Sequence, residues 1–86
     1  MAKKLYVGNI NYATTEDELT DLFAEFGNIV AVDIVFDRFT GRSRGFGFVE
    51  MEEETEAMTA LEALKGREVD GRQLRVSEAK GRPAGR

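Results

Sequence analysis

Arg44-Gly45-Phe46-Gly47-Phe48-Val49-Glu50-Met51 is the stretch on which the fold turns. It reads as a β-strand, and side chains on a strand point alternately to its two faces. Gly45, Gly47, Val49 and Met51 then share one face, and Arg44, Phe46, Phe48 and Glu50 share the other. Two phenyl rings thus fall in phase with an arginine and a glutamate. Covering that face would bury both charges, and a buried charge without a partner is costly. The face with the rings is therefore expected to be open, and the small and aliphatic face to be covered. Glycine inside a strand weakens it and is tolerated where another backbone comes close. The parity of Gly45 and Gly47 directs them to the covered face. Close packing of a helix on the sheet is the reading for them, with a bulge or a need for local flexibility as the alternatives.

Working outward, Lys4–Asn9 alternates in the same way, with Leu5 and Val7 opposite Lys4, Tyr6 and Gly8. Thr15 and Glu18 have the spacing of a capping box, in which each satisfies a free N–H of the other at a helix start. Leu19, Leu22, Phe23 and Phe26 then lie on one helix face, and Gly27 suits a left-handed C-terminal cap. Ile29–Phe36 is apolar and β-branched, with Val32, Ile34 and Phe36 opposite Ala31, Asp33 and Val35. A polar, arginine-rich loop containing Thr40-Gly41 leads into Arg44–Met51. A second helix is predicted over Glu53–Lys65, with Ala57, Ala60, Leu61 and Leu64 on one face and Gly66 after it. Asp70-Gly71 signals a turn. Arg72–Ala79 is the last predicted strand, with Leu74 and Val76 opposite Gln73, Arg75 and Ser77.

The predicted order is β-α-β-β-α-β. An antiparallel four-stranded sheet with both helices on one face is the economical packing for it, an α+β sandwich of the ferredoxin-like kind. Tyr6, Phe46 and Phe48 all have the parity of the uncovered, charged face. Residues 1–80 are expected to form one domain, and 81–86, made of glycine, alanine, proline and arginine, a disordered tail.

The chain of 86 residues has a net charge of −4 and contains no cysteine and no histidine. Disulfides, thiolate metal sites and histidine-based catalysis are excluded. No run approaches the roughly 20 apolar residues that cross a bilayer, so no membrane partner is expected. The absence of cysteine fits a reducing cytoplasm. The acidic balance argues at first against nucleic acid, but the charge is segregated. Five acids and no base lie between Glu16 and Glu25, and three arginines and no acid between Arg38 and Arg44. One face of an acidic protein can thus be positive. Gly45-x-Gly47 lacks the third glycine of a dinucleotide fingerprint, and no nucleophile and base can be paired. Neither an enzymatic activity nor a cofactor is expected.

Arg44–Met51 fits seven of the eight positions of the ribonucleoprotein motif, with Met51 where Phe or Tyr is usual. Leu5-Tyr6-Val7-Gly8-Asn9-Ile10 resembles the second, six-residue motif of the same family, and Asp37 to Arg44 resembles the loop before its third strand. Over roughly residues 3–80 the chain resembles the RNA recognition motif family. It looks most like the small single-domain RNA-binding proteins of bacteria or the glycine-rich ones of plants. The resemblance implies binding of single-stranded RNA on the open sheet. Tyr6 and Phe48 would each stack one base, Phe46 would lie against the riboses, and Arg44 would meet the phosphate between them. Arg75, Ser77 and the backbone around Glu78–Lys80 would read base edges. Lys4, Asn9, Arg42 and Lys80 complete the candidate set. Single-stranded DNA is expected to bind too, since stacking discriminates little, but more weakly, because only contacts to the 2′-hydroxyl would favour RNA. The protein is expected to act as a monomer in RNA metabolism or RNA chaperoning.

Plain alternatives stand beside these roles. The rings could be ordinary core, Arg44 could pair with Asp33 or Glu50, and Arg42 could be a solvated loop residue. The rival function is a protein-interaction module using the acidic helical face.

Overall fold

The computed structural model describes residues 2–79. Its elements are β1 (Lys3–Gly8), α1 (Glu16–Ala24), β2 (Ile29–Phe36), β3 (Ser43–Met51), α2 (Glu54–Leu64), β4 (Glu68–Val69), β5 (Arg72–Gln73) and β6 (Arg75–Glu78). Four strands form one sheet in the order β2-β3-β1-β6, each pair antiparallel. β4 and β5 make a separate small hairpin. The ferredoxin-like α+β fold is the one expected. Lys80 and the tail lie outside the described residues.

Helix α1 starts where its capping residues say it should. The Thr15 N–H donates to Glu18 Oε1 at 2.8 Å, and the Glu18 N–H donates to Thr15 Oγ1 at 3.1 Å. Glu16, Asp17 and Glu18 place negative charge in the first turn, where the helix dipole favours it. Leu19 and Phe23 are buried, and Leu22 and Phe26 pack at the margin of the core. α2 buries the stripe expected of it: Ala57, Ala60, Leu61 and Leu64. α1 packs on β2 and β3, and α2 on β1, β3 and β6. Leu5, Val7, Ile34, Val49, Met51 and Val76 form the sheet side of the core, and Leu74 joins it from just before β6. Each such side chain, fully buried, contributes about 1.5–3 kcal/mol relative to exposure.

Five local expectations are corrected. Gly27 is not left-handed; it makes room for Glu56 of α2, whose carboxylate and Cβ a side chain there would overlap. The backbone beside Gly47 is a strand and not a helix: a Cβ there would run into the carbonyl oxygen of Asp33 on β2. Gly45 has φ +85° and sits where the β2–β3 register slips between Ile34 and Phe36, so the bulge alternative holds. Past that slip Phe36 is exposed, although its parity matched the buried Ile34. Finally, Arg72–Ala79 is not one strand. Asp70 and Gly71, at φ 52° and 83°, form a tight turn between β4 and β5, and the chain breaks at Leu74 before β6. The hairpin is tied to the loop after β1, because Asn11 Nδ2 donates to the Asp70 carbonyl and Thr14 Oγ1 to its carboxylate, both at 3.0 Å.

The loop between β2 and β3 is organised by Asp37. The N–H groups of Phe39 and Thr40 donate to its Oδ1 at 2.8 and 3.2 Å, and the Gly41 N–H donates to its carbonyl at 2.7 Å. The Phe39 N–H and then the Thr40 N–H favour the carboxylate, with a smaller pull from Arg44, and hold Asp37 below the usual 3.8.

Two outcomes follow. Phe23→Ala should cost about 3–5 kcal/mol in denaturant unfolding, because it empties the core, whereas Phe48→Ala should cost about 1 kcal/mol, mainly from lost ring contacts. Asp37 should titrate below 3.8 by carboxyl NMR, with the Phe39 and Thr40 amide shifts following it. A carboxyl whose folded value lies below its unfolded one stabilises fully above the unfolded value, and that contribution is lost as pH falls through the folded one. The loop should therefore loosen only below the normal aspartate range.

Candidate nucleic-acid interface

The crossover from β1 through α1 to β2 leaves a gap in the sheet that β3 fills, so β1 and β3 become central neighbours. Their register sets Tyr6 opposite Phe48 and Gly8 opposite Phe46. All three rings have the parity that points away from the helices. Gly8 lets the Tyr6 ring lean along its own strand, since a Cβ at Gly8 would lie 2.5 Å from the Tyr6 hydroxyl oxygen. The ring centroids of Tyr6 and Phe46 are 5.9 Å apart, those of Tyr6 and Phe48 6.0 Å, and those of Phe46 and Phe48 6.3 Å. The last two pairs meet edge to face, the arrangement that ring quadrupoles favour. Each ring is half-buried, and none joins the buried core.

Across the sheet, Asp33, Phe48, Tyr6 and Ser77 form one row through all four strands. A second row carries Glu50 and Lys4, and a third Phe46, Gly8 and Arg75. Lys4 Nζ lies 5.6 Å from the Phe48 centroid, a cation over the ring. Arg44 is exposed, and among the described residues no ion pair ties it to Asp33 or Glu50. A cleft of about 290 Å³ runs beside the rings, lined in part by Tyr6, Phe46, Arg44, Arg75 and Arg72. Three guanidinium groups thus border two aromatic rings. The acids of α1 and α2 belong to elements on the opposite side of the sheet, so the net charge of −4 does not describe this face.

Of the residues proposed from sequence, Tyr6, Phe46, Phe48, Lys4, Arg44, Arg75 and Ser77 come together on this surface. Asn9 stands at its edge with φ 55°, and its side chain is already engaged. Its Nδ2 donates to the Gln73 carbonyl at 2.7 Å, and its Oδ1 accepts from Arg72 Nη1 at 3.2 Å. Asn9 therefore braces β5 of the small hairpin. Arg42 stands apart from the rings, in the β2–β3 loop. Lys80 lies outside the described residues. Arg72, which the sequence reading passed over as part of the last strand, borders the cleft with its guanidinium 5.3 Å from the Tyr12 ring centroid. Only the hairpin turn brings it there, and Asp70-Gly71 was the available signal. Among the described residues no cluster of three acidic or histidine side chains could hold a metal ion.

The comparisons agree with this geometry. Residues 5–75 match the family profile described as RNA recognition motif. The chain is 48% identical over 85 residues to glycine-rich RNA-binding protein 1 of Mycosarcoma maydis, covering 99% of this chain and 49% of that protein. It is 51% identical over 78 residues to the RNA-binding protein RbpA of Synechocystis sp., covering 91% of this chain and 77% of that one. It therefore spans about half the length of the fungal relative. Among solved structures, RNA binding protein PG1 superposes with a TM-score of 0.90 at 49% identity, covering 95% of this chain and 99% of that one. The Rna15 domain with bound RNA (GU) superposes with a TM-score of 0.82 at 29% identity, covering 91% and 83%. A profile match over most of the chain, on a sheet that carries both ribonucleoprotein motifs side by side, makes this protein a member of the RNA recognition motif family.

Proposed function

We propose that the protein binds single-stranded RNA on the open face of its sheet, as a binding module and not as an enzyme. The observation that carries this reading is the cluster of Tyr6, Phe46 and Phe48, half-buried on the helix-free side and bordered by Lys4, Arg44 and Arg75. Nucleobases have apolar faces that stack on such rings, each stack being worth about 1–3 kcal/mol, whereas bases inside a duplex are not available to them. Tyr6 and Phe48 each stack one base. Phe46, tilted against Tyr6, meets the sugars between them. Arg44 takes the phosphate, and Lys4 and Arg75 add positive charge. Ser77, next to Tyr6 in register, offers a hydroxyl to a base edge.

Two stacks and a sugar contact, less the cost of ordering the strand, give a dissociation constant on the order of micromolar for a short RNA. Asp33 and Glu50 on the same face hold the affinity down by repelling phosphate. Single-stranded DNA binds less tightly, for want of the 2′-hydroxyl. The names and contents of the related proteins support RNA over the rival reading of a protein-docking helical face. The working form is a monomer, and the lack of cysteine supports a cytoplasmic setting in RNA metabolism or chaperoning.

Fluorescence anisotropy with short RNA tests this. Phe46→Ala/Phe48→Ala should weaken binding by about a hundredfold, from two lost ring contacts of about 1.4 kcal/mol each, with the circular dichroism spectrum unchanged. Arg44→Gln should reduce the slope of log K against log salt by about 0.7, the value for one phosphate contact to a single strand. Unchanged affinity in the first variant refutes the sheet-face reading.

A further inference from the structure

A second aromatic surface lies at the end of the sheet where β1 and β2 run out and β3 begins. An open groove of about 870 Å³ is bordered there by Tyr12, Phe36, Asp37, Arg42 and Arg44. Tyr12 is 62% exposed and Phe36 51% exposed. Neither value suits a ring whose task is to fill the core. Phe36 is displaced outward at the register slip next to Gly45, and such irregularities often re-aim a side chain beside a functional site. Tyr12 is held in place: a Cβ at Gly45 would come within 3.2 Å of its ring, and Arg72 covers it.

The charge of the groove suits a phosphate backbone. Arg42 and Arg44 supply cations, and the one acid at its border, Asp37, has an oxygen occupied by the Phe39 and Thr40 amides. The groove is also continuous with the ring cluster, because Tyr12 and Arg44 border both it and the cleft beside Tyr6 and Phe46. A strand seated on the sheet is thereby delivered to the groove at high local concentration, an advantage no separate partner has.

The geometry points to a further base-stacking subsite in this groove. One more nucleotide of the same RNA strand places its base against Phe36 and Tyr12 and its phosphate near Arg42 and Arg44. The subsite rests on the sheet-face reading above and extends it. It makes affinity depend on the length of the RNA beyond what the three sheet rings supply.

The test compares a random-sequence trinucleotide, long enough only for the sheet, with a random-sequence octanucleotide, using the full chain. Phe36→Ala should bind the trinucleotide as the wild type does and the octanucleotide about tenfold less tightly, the loss of roughly one stacked base. Phe36→Leu, which keeps the bulk but removes the ring, should show the same loss, and Tyr12→Leu should also weaken the octanucleotide. Octanucleotide binding by both Phe36 variants at wild-type strength overturns the subsite. So does a wild-type dimer in sedimentation that Phe36→Ala abolishes without changing octanucleotide affinity, because the groove is then an interface between copies. Failure of the sheet reading itself is seen separately, as unchanged trinucleotide binding in Phe46→Ala/Phe48→Ala.

Discussion

The alternation of side chains along β3, kept on both sides of the bulge at Gly45, is the constraint from which the rest follows. Val49 and Met51 require cover, and Arg44 and Glu50 require water. Phe46 and Phe48 have no choice of their own, because their phase is that of the charges. Rings that would elsewhere be core are thereby held at the surface. The cost of leaving them partly wet is reduced by their contacts with Tyr6 and with one another, at centroid separations near 6 Å.

The topology then concentrates what the alternation has exposed. A β-α-β crossover with room for a strand in its middle puts β1 and β3 side by side, and their register sets the rings together. The same crossovers put both acidic helices on the far side. An acidic protein can therefore present Lys4, Arg44, Arg72 and Arg75 around its aromatic cluster. Net charge is a poor guide to the partner here, because the sheet stands between the two populations of charge.

Much of this was legible in the sequence. The helix faces of α1 and α2, the Thr15–Glu18 capping box and the strand parity are local patterns, and apart from Phe36 the structure has them as read. What was not legible depends on contacts between elements. Gly47 is explained by the backbone of β2, and Gly27 by a side chain of α2, neither of which is near in sequence. The slip that exposes Phe36 is a property of two strands together. The split of the last strand was hidden because Arg72 to Ala79 keeps a strand-like alternation through Leu74, where the ladder breaks. At the candidate interface, Tyr6, Phe46, Phe48, Lys4, Arg44, Arg75 and Ser77 were found from parity and motif. Tyr12 and Arg72 lie outside the main sheet and reach its edge only through a loop and a hairpin.

The central claim is that the helix-free face of the sheet meets the bases. Its most direct measurement is an NMR titration of the protein with a short single-stranded RNA, followed through the aromatic side-chain protons. Upfield shifts of the Tyr6, Phe46 and Phe48 ring protons, with intermolecular Overhauser effects from those rings to base and ribose protons, are the result this account requires. Ring signals that stay still while the perturbed residues gather on α1 and α2 would contradict it.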